Sequence, residues 1–263
     1  MPFIQIKNTH YYYETHGQGE IPILLISGYT CDHEFYYPIF DFLEKKYRLI
    51  VLDNRGVGQT IDDGSPLSAE VMATDMIALS EALELKNPHI IGQSMGGTIA
   101  QAIAAHYPDK IGKLVLVTTS AKWRITMLKA LRFLLKLREQ NVDVDSQFEA
   151  ALPWLFGQDF LSNPEKITLF KNILLGTKYP ESLEDQMRQY QVLEKFDGTQ
   201  SIKNIRAETL IVYGKEDLIS LPQESMYLHE NIKNSKIASL NCAHVITVEV
   251  PEALGKLLQE FLW

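Results

Sequence analysis

Gly92-Gln93-Ser94-Met95-Gly96 is the stretch of this sequence that decides the fold. A short apolar run precedes it at 88–91, and a helix-like segment of small residues follows it at 98–106. A G-x-S-x-G pattern between a strand and a helix is typical of a sharp turn, in which glycines prevent side-chain collisions. Such a turn holds its serine strained and exposed above a sheet. The pattern therefore predicts a nucleophilic Ser94. The alternative interpretation is a Gly-Ser turn that only caps a helix.

Outward from this turn, strand and helix signals alternate along the chain. Continuous apolar runs suit strands that are covered on both faces, as in a parallel sheet. We therefore expect an α/β fold with a largely parallel sheet. The predicted strands are a first hairpin at 3–7 and 11–15, then 21–27, 47–53, 88–92, 113–119, 209–214 and 235–241. The predicted helices include 35–45, 68–85 and 251–263.

The segment 122–204 departs from this alternation. It contains several helical patterns and almost no strand signal. We expect it to form a helical cap, or lid, inserted into a core built from residues 1–121 and 205–263.

Composition narrows the possible functions. The chain has 263 residues and a formal net charge of -8, which argues against a nucleic-acid partner that needs a broad basic face. Neither a signal peptide nor a membrane-spanning run is evident, so a soluble cytoplasmic protein is expected. Cys31 and Cys242 lie too far apart for a disulfide framework or metal-ligand spacing, and small buried thiols are expected instead.

A serine nucleophile needs an adjacent base, and in this motif class the partners follow in the order Ser, acid, His. Two histidines, His229 and His244, follow the predicted strand 209–214. His229 lies in a helix-like stretch, whereas His244 begins a loop after the strand 235–241. Loops at strand ends are where such sites are built. His244 is therefore the predicted general base.

The predicted acid is Asp217, which comes directly after the apolar strand 209–214. Its nearest rival is Glu216. A carboxylate here would hold the imidazole in the correct tautomer and stabilise its cation. For the oxyanion hole, the motif class predicts the backbone N–H of Met95 and a second donor in the loop after an early strand, for which we choose Tyr29.

Together these residues resemble the α/β-hydrolase superfamily over essentially the whole chain. The resemblance implies an eight-stranded, mostly parallel sheet, a helical cap, no cofactor and no metal. It is closest to small carboxylesterases, enol-lactonases and carbon–carbon bond hydrolases. The matching segments are 92–97, Asp53-Asn54-Arg55-Gly56-Val57-Gly58, 214–217 and Ala243-His244…Glu249-Val250-Pro251.

The sequence also departs from the family pattern. Ser27-Gly28 replaces the frequent His-Gly before the oxyanion residue, and Ala243 replaces the usual glycine before the histidine. Pro222 lies five residues after Asp217, where four is commoner. No catalytic group is lost. Because the predicted nucleophile is serine and not aspartate, haloalkane dehalogenase and epoxide hydrolase chemistry are disfavoured.

The predicted cap carries two features that bear on recognition. Six basic residues and no acidic one lie between 122 and 138, and Lys129, Arg132 and Lys136 share one helical face. This is either a solvated face or a site for an acidic partner, such as an acyl carrier protein or an anionic membrane surface. Four cap aromatics line an acyl pocket or simply pack: Trp123, Trp154, Phe156 and Phe160.

The predicted activity is hydrolysis of a carboxylic ester by a serine carboxylesterase that forms an acyl-enzyme. Thioesters, lactones and carbon–carbon bonds use the same machinery, and a pimeloyl-carrier methyl esterase or a thioesterase is the alternative with a carrier partner. The fold also serves non-catalytic ligand-binding proteins.

Overall fold

The computed structural model describes residues 3–263, which form one eight-stranded sheet flanked by helices. The strand order is β1-β2-β4-β3-β5-β6-β7-β8. The strands are β1 Phe3–Ile6, β2 Thr9–His16, β3 Ile21–Ile26, β4 Tyr47–Leu52, β5 His89–Gln93, β6 Leu114–Val117, β7 Thr209–Gly214 and β8 Ser235–Leu240.

The sheet is mostly parallel, as predicted. β1 and β2 form an antiparallel hairpin, and β2 pairs antiparallel with β4. Every later pairing is parallel, for example Leu24 with Ile90 between β3 and β5. The carboxyl ends of these parallel strands meet at one edge of the sheet, where α/β folds build their sites.

Helices cover both faces of the sheet. Two 3₁₀ helices occupy His33–Ile39 and Ser201–Asn204. The α-helices are α1 Phe40–Leu43, α2 Ala69–Ala82, α3 Met95–His106, α4 Ile125–Glu139, α5 Val144–Leu155, α6 Gln158–Leu161, α7 Pro164–Leu175, α8 Leu183–Lys195, α9 Pro222–Asn231, α10 Ile246–Glu249 and α11 Pro251–Leu262.

The predicted helix at 35–45 is wrong in type over its first half, which is the end of a 3₁₀ helix that contains Pro38. Proline has no N–H to donate, so a regular α-helix through this position is disfavoured. By contrast, α2 begins as predicted, since the Ser68 side chain accepts a hydrogen bond from the backbone nitrogen of Val71.

Each face of the sheet has its own hydrophobic core. Along β3, Leu24 and Ile26 belong to one core cluster, whereas Ile23 and Leu25 belong to the other. This alternation follows from the two-residue period of a strand. Because both sets are buried, β3 is apolar throughout, which is the pattern seen in the sequence.

Five helices, α4 to α8, lie between β6 and β7. α8 adds Tyr190, Val192 and Leu193 to the core cluster that contains Leu24. α5 and α6 form a third cluster that includes Val245, the residue after His244. The division into a cap at 122–204 and a two-part core stays a prediction, and residues 1 and 2 of that core lie outside the described residues. Within 3–263, no helix is long and apolar enough to cross a membrane.

Candidate active site

Ser94 lies in a strained turn between β5 and α3. Its φ of 53° and ψ of -117° place it outside the conformations that L-residues normally adopt. The helix approaches the sheet so closely here that a Cβ atom on Gly96 would lie 1.9 Å from the Ile26 carbonyl oxygen. A Cβ on Gly92 would lie 2.3 Å from the carbonyl oxygen of Gly96. The two glycines of the motif are thus required by backbone packing.

The structure brings Ser94, His244 and Asp217 together in one hydrogen-bonded chain. His244 Nε2 lies 3.0 Å from Ser94 Oγ, and His244 Nδ1 lies 2.9 Å from Asp217 Oδ2. The three residues follow β5, β8 and β7, so they meet at the carboxyl edge of the sheet. Their exposed fractions are 7%, 4% and 1% for Ser94, His244 and Asp217. An alcohol, an imidazole and a carboxylate in this order can pass a proton from oxygen to nitrogen.

The turn after β7 orients the Asp217 carboxylate. Its Oδ1 atom accepts hydrogen bonds from the backbone nitrogens of Ile219 and Ser220, at 2.8 and 3.0 Å. This leaves Oδ2 facing His244. The rival acid, Glu216, points elsewhere, since its Oε2 accepts from the backbone nitrogen of Gln158 at 2.7 Å.

The loop after β3 passes beside the nucleophile. A Cβ atom on Gly28 would lie 3.2 Å from Ser94 Cβ. Within residues 3–263, the backbone N–H groups of Tyr29 and Met95 have no hydrogen-bond acceptor. The loop is held by α8, because Gln189 Oε1 accepts from the Thr30 nitrogen at 2.9 Å. The N–H groups of Tyr29 and Met95, which have no acceptor, are therefore free to donate to a substrate oxygen.

Sequence reasoning missed the residues that hold the histidine loop. Glu249 accepts hydrogen bonds from the backbone nitrogens of Ala243 and Gly157, at 2.8 and 2.9 Å. Burial raises the pKa of Glu249, and the charges of Glu216 and Asp217 add to that rise. In the sequence, Glu249 is marked only by its place in the segment Ala243-His244…Glu249-Val250-Pro251 that carries the family resemblance. No local pattern signals a contact between residues 92 positions apart.

Comparison with known proteins places this chain in a family. Residues 21–251 match the family model of the alpha/beta hydrolase fold. The chain belongs to the alpha/beta hydrolase fold family. The hydrolase is 25% identical over 248 residues to 3-oxoadipate enol-lactonase 2 of Acinetobacter baylyi, covering 94% of this chain and 91% of that relative.

Solved structures share the fold of this hydrolase over nearly its whole length. MGS-M2, an alpha/beta hydrolase enzyme from a deep-sea metagenome library, has a TM-score of 0.91 at 22% identity, with 99% of this chain and 96% of that chain covered. A thermophilic esterase from Thermogutta terrifontis has a TM-score of 0.84 at 25% identity, with 97% and 93% covered.

The basic residues of the predicted cap are mostly engaged within the hydrolase. Lys122 pairs with Asp197, Arg124 with Glu224 and Arg132 with Glu139. Arg138 donates to the carbonyl oxygen of Glu181. Lys129 and Lys136 are exposed, and no ion pair involves them within 3–263. The unpaired basic surface of the cap is thus smaller than the six basic residues of the sequence suggest. An acidic carrier partner stays a prediction.

Three of the four cap aromatics are buried in the hydrolase. Trp123 donates from Nε1 to Thr98 Oγ1 at 3.1 Å, on the helix that follows the nucleophile. Phe156 and Phe160 stack with ring centroids 4.0 Å apart, in the cluster that contains Val245. Trp154 is half-buried. The acyl-pocket role of this set stays a prediction.

Both cysteines are free thiols. Burial raises the pKa of Cys31 to about 12, and burial also raises the pKa of Cys242. Such thiols are poor nucleophiles. Among residues 3–263, no group of three or more His, Cys, Asp or Glu side chains is arranged to hold a metal ion.

Proposed function

We propose that this hydrolase cleaves carboxylic esters through an acyl-enzyme intermediate. The proposal depends on one observation, the hydrogen-bonded chain from Ser94 Oγ through His244 to Asp217 Oδ2. In this chain Ser94 is the nucleophile, His244 is the general base and Asp217 holds the imidazole tautomer.

Each step of the reaction then has an assigned group. Ser94 Oγ attacks the ester carbonyl carbon while His244 Nε2 takes its proton. The backbone N–H groups of Tyr29 and Met95 hold the oxyanion of the tetrahedral intermediate. The C–O bond to the alcohol breaks, and His244 returns the proton to the leaving alcohol. Water activated by His244 then hydrolyses the acyl-enzyme and restores Ser94.

Carboxylic esters are one substrate class that the names of similar proteins support, beside carbamates. One similar structure is an esterase, and one similar relative is an enol-lactonase, which by its name acts on a cyclic ester. Burial of Ser94 and His244 also keeps bulk water away from the developing charges, which strengthens their interaction with the oxyanion donors. An intact nucleophile, base and acid argue against a non-catalytic ligand-binding role.

The test is hydrolysis of p-nitrophenyl acetate, butyrate and octanoate by the wild type, Ser94→Ala and a matched control, Ser162→Ala. Ser162 is exposed, and within residues 3–263 its hydroxyl bonds only with the Gln158 side chain. We expect Ser94→Ala to lower kcat by about a million-fold and Ser162→Ala to behave as the wild type. Wild-type inactivity on all three esters would favour the non-catalytic role. Full activity of Ser94→Ala would show that Ser94 is not the nucleophile.

A further inference from the structure

The loop after β3 makes a tight turn over residues 28–31. The backbone nitrogen of Cys31 donates to the carbonyl oxygen of Gly28 at 3.2 Å, which closes the turn. Thr30, the third residue, has a φ of 60°, whereas the φ of Tyr29, the second, is not positive. This combination is typical of a type II turn, whose third position favours glycine or asparagine. A β-branched threonine is strained there, so a contact from outside the turn must stabilise this form.

A less strained form of the turn is open to the same four residues. In a type I turn both central residues have a negative φ, which threonine adopts readily. The two forms differ by a rotation of the Tyr29–Thr30 peptide plane through roughly half a turn. This rotation exchanges the directions of the Tyr29 carbonyl oxygen and the Thr30 N–H. The group that faces the Thr30 N–H therefore decides which form the turn takes.

That group is the side-chain amide of Gln189, in α8. Its Oε1 accepts from the Thr30 nitrogen at 2.9 Å, and its Nε2 donates to the carbonyl oxygen of Arg55 at 2.9 Å. Gln189 is completely buried, with an exposed fraction of 0%. The bond to Arg55 fixes which end of the amide faces the turn. In a type I turn the Tyr29 carbonyl oxygen would face Gln189 Oε1, and two such acceptors have no proton to share.

The loop after β4 holds the Arg55 carbonyl in place. Arg55 Nη2 lies 2.7 Å from Oδ2 of the buried Asp75, on α2. Asn54, the preceding residue, donates from Nδ2 to the carbonyl oxygen of Ser27 at 3.0 Å. The β4 loop thus holds the chain just before the turn through Asn54, and it holds the third residue of the turn through Gln189.

The turn also carries the proposed oxyanion donor, the backbone N–H of Tyr29. A Cβ atom on Gly28 would lie 3.2 Å from Ser94 Cβ, so the turn lies directly against the nucleophile. The Tyr29 N–H and the peptide plane that rotates are joined at the Tyr29 Cα atom. A change of turn type therefore shifts this N–H relative to Ser94. A misplacement of about 1 Å costs roughly a hundredfold in rate.

We propose that Gln189 is a positioning residue for the oxyanion donor. It holds the turn at 28–31 in the type II form and thereby directs the Tyr29 N–H at the substrate oxygen. This inference rests on the proposed ester hydrolysis and adds a residue outside the chain of Ser94, His244 and Asp217. It also makes α8, a helix between β6 and β7, part of the structure that stabilises the tetrahedral intermediate.

The first test is the kinetics of Gln189→Met, which keeps the length of the side chain and removes both hydrogen bonds. With p-nitrophenyl butyrate we expect kcat to fall roughly tenfold to a hundredfold, with KM changed by less than about twofold. The matched control is Gln191→Met on the same helix, because within 3–263 the Gln191 side chain bonds only with Lys195, at 3.3 Å. It should behave as the wild type. Equal kinetics in the two variants would overturn the inference.

An alkyl trifluoromethyl ketone tests the oxyanion donors directly. Ser94 Oγ adds to its carbonyl carbon, the hydroxyl proton passes to His244, and the carbonyl electron pair becomes an oxyanion that needs the same donors. The inhibition constant of this ketone should rise in Gln189→Met by about the factor by which kcat falls. An inhibition constant does not depend on the folded fraction of the sample. An unchanged constant would show that the loss of kcat is a loss of folded protein.

Thr30→Gly tests the mechanism. Glycine takes a positive φ without strain, so the type II turn forms without help from Gln189. We expect Thr30→Gly to restore most of the kcat that Gln189→Met loses. Thr30→Ala keeps a Cβ atom and should restore much less. No rescue by glycine, or equal rescue by alanine, would contradict the inference.

The conformation of the turn separates this inference from the proposed function. A crystal structure of Gln189→Met should show Thr30 with a negative φ, and addition of Thr30→Gly should bring back the type II turn. A positive φ of Thr30 retained in Gln189→Met would overturn the inference even where esters are cleaved. Absence of hydrolysis by the wild type would count against the proposed function alone, since the structure is determined without turnover. Should Gln189→Met fail to fold, Gln189→Ala takes its place.

Discussion

The carbonyl oxygen of Leu155, the last residue of α5, lies 3.1 Å from the backbone nitrogen of His244 and accepts a hydrogen bond from it. The same oxygen accepts from the nitrogen of Val245 at 3.2 Å. The end of α5 and the histidine loop are therefore joined through the backbone, and a movement of α5 displaces the loop that carries the proposed base.

Asp217, and not Glu216, should be the acid that supports His244. Asparagine at 217 lacks the carboxylate charge, and its NH2 group can donate a hydrogen bond to Nδ1, which stabilises the wrong imidazole tautomer. We expect Asp217→Asn to lower kcat by about ten-thousand-fold. Glu216→Gln should change kcat far less, because that side chain contacts the Gln158 nitrogen. Steady-state kinetics with p-nitrophenyl butyrate compares them, and a larger loss in Glu216→Gln would reverse the assignment.

Glu249 should act as a positioning residue for the histidine loop. Glu249→Ala removes the acceptor of two backbone N–H groups, so we expect a loss of about 1–3 kcal/mol in unfolding free energy and a fall in kcat with little change in KM. Glu249→Gln keeps one acceptor oxygen and should restore part of both. Urea unfolding and kinetics measure the effects.

Glu252→Ala is the matched control for Glu249, because Glu252 is an exposed carboxylate in the first turn of α11. Unchanged kinetics in Glu249→Ala, or an equal loss in Glu252→Ala, would refute the positioning role.

His33 should make stability depend on pH. Burial lowers the pKa of His33. The hydrogen bond from His33 to Asp53 and the charges of Asp53, Asp32 and Glu14 raise that pKa by more than burial lowers it, so the pKa of folded His33 lies above its ordinary value of 6.5. The stabilisation of the folded state by protonated His33 is thus fully present below about pH 6.5. It is lost as the pH rises through the raised pKa of folded His33.

The measurement for His33 is the unfolding free energy of the wild type minus that of His33→Gln, at about pH 6 and about pH 9. We expect this difference to be larger at the lower pH. His10→Gln, at an exposed histidine of the first hairpin, is the matched control for loss of a surface histidine. A flat difference for His33 would contradict the prediction.

Gly96 should tolerate no side chain. Alanine there places a methyl group against the Ile26 carbonyl oxygen, so we expect Gly96→Ala to destabilise the fold by about 4 kcal/mol or more. Gly64→Ala is the control, because Gly64 has a φ of 69° but no atom within 4 Å of an added Cβ. Its cost should be only about 1–2 kcal/mol. Similar thermal shifts for the two variants would show that backbone packing at Gly96 is less tight than described.

The sequence predicted most of the sheet because burial on both faces leaves a continuous apolar run at β3, β4 and β7. It predicted the Ser94 turn in part because Gly92 is required by a near neighbour, the carbonyl oxygen of Gly96, whereas Gly96 is required by the distant carbonyl oxygen of Ile26. It also predicted which aspartate and histidine follow the last strands. Where a residue interrupts local geometry, as Pro38 does, the predicted helix type was wrong.

Chain order and local sterics alone were thus enough to select Ser94, Asp217 and His244 as candidates. Tertiary structure decided what local patterns do not encode. It turned Asp217 toward the imidazole and Glu216 away from it, joined Leu155 to His244, and brought Glu249 to the backbone of Gly157. These contacts join segments far apart in the chain, and their geometry depends on how the helices between β6 and β7 pack on the sheet. A pattern of residues that are near one another in the sequence does not determine that packing.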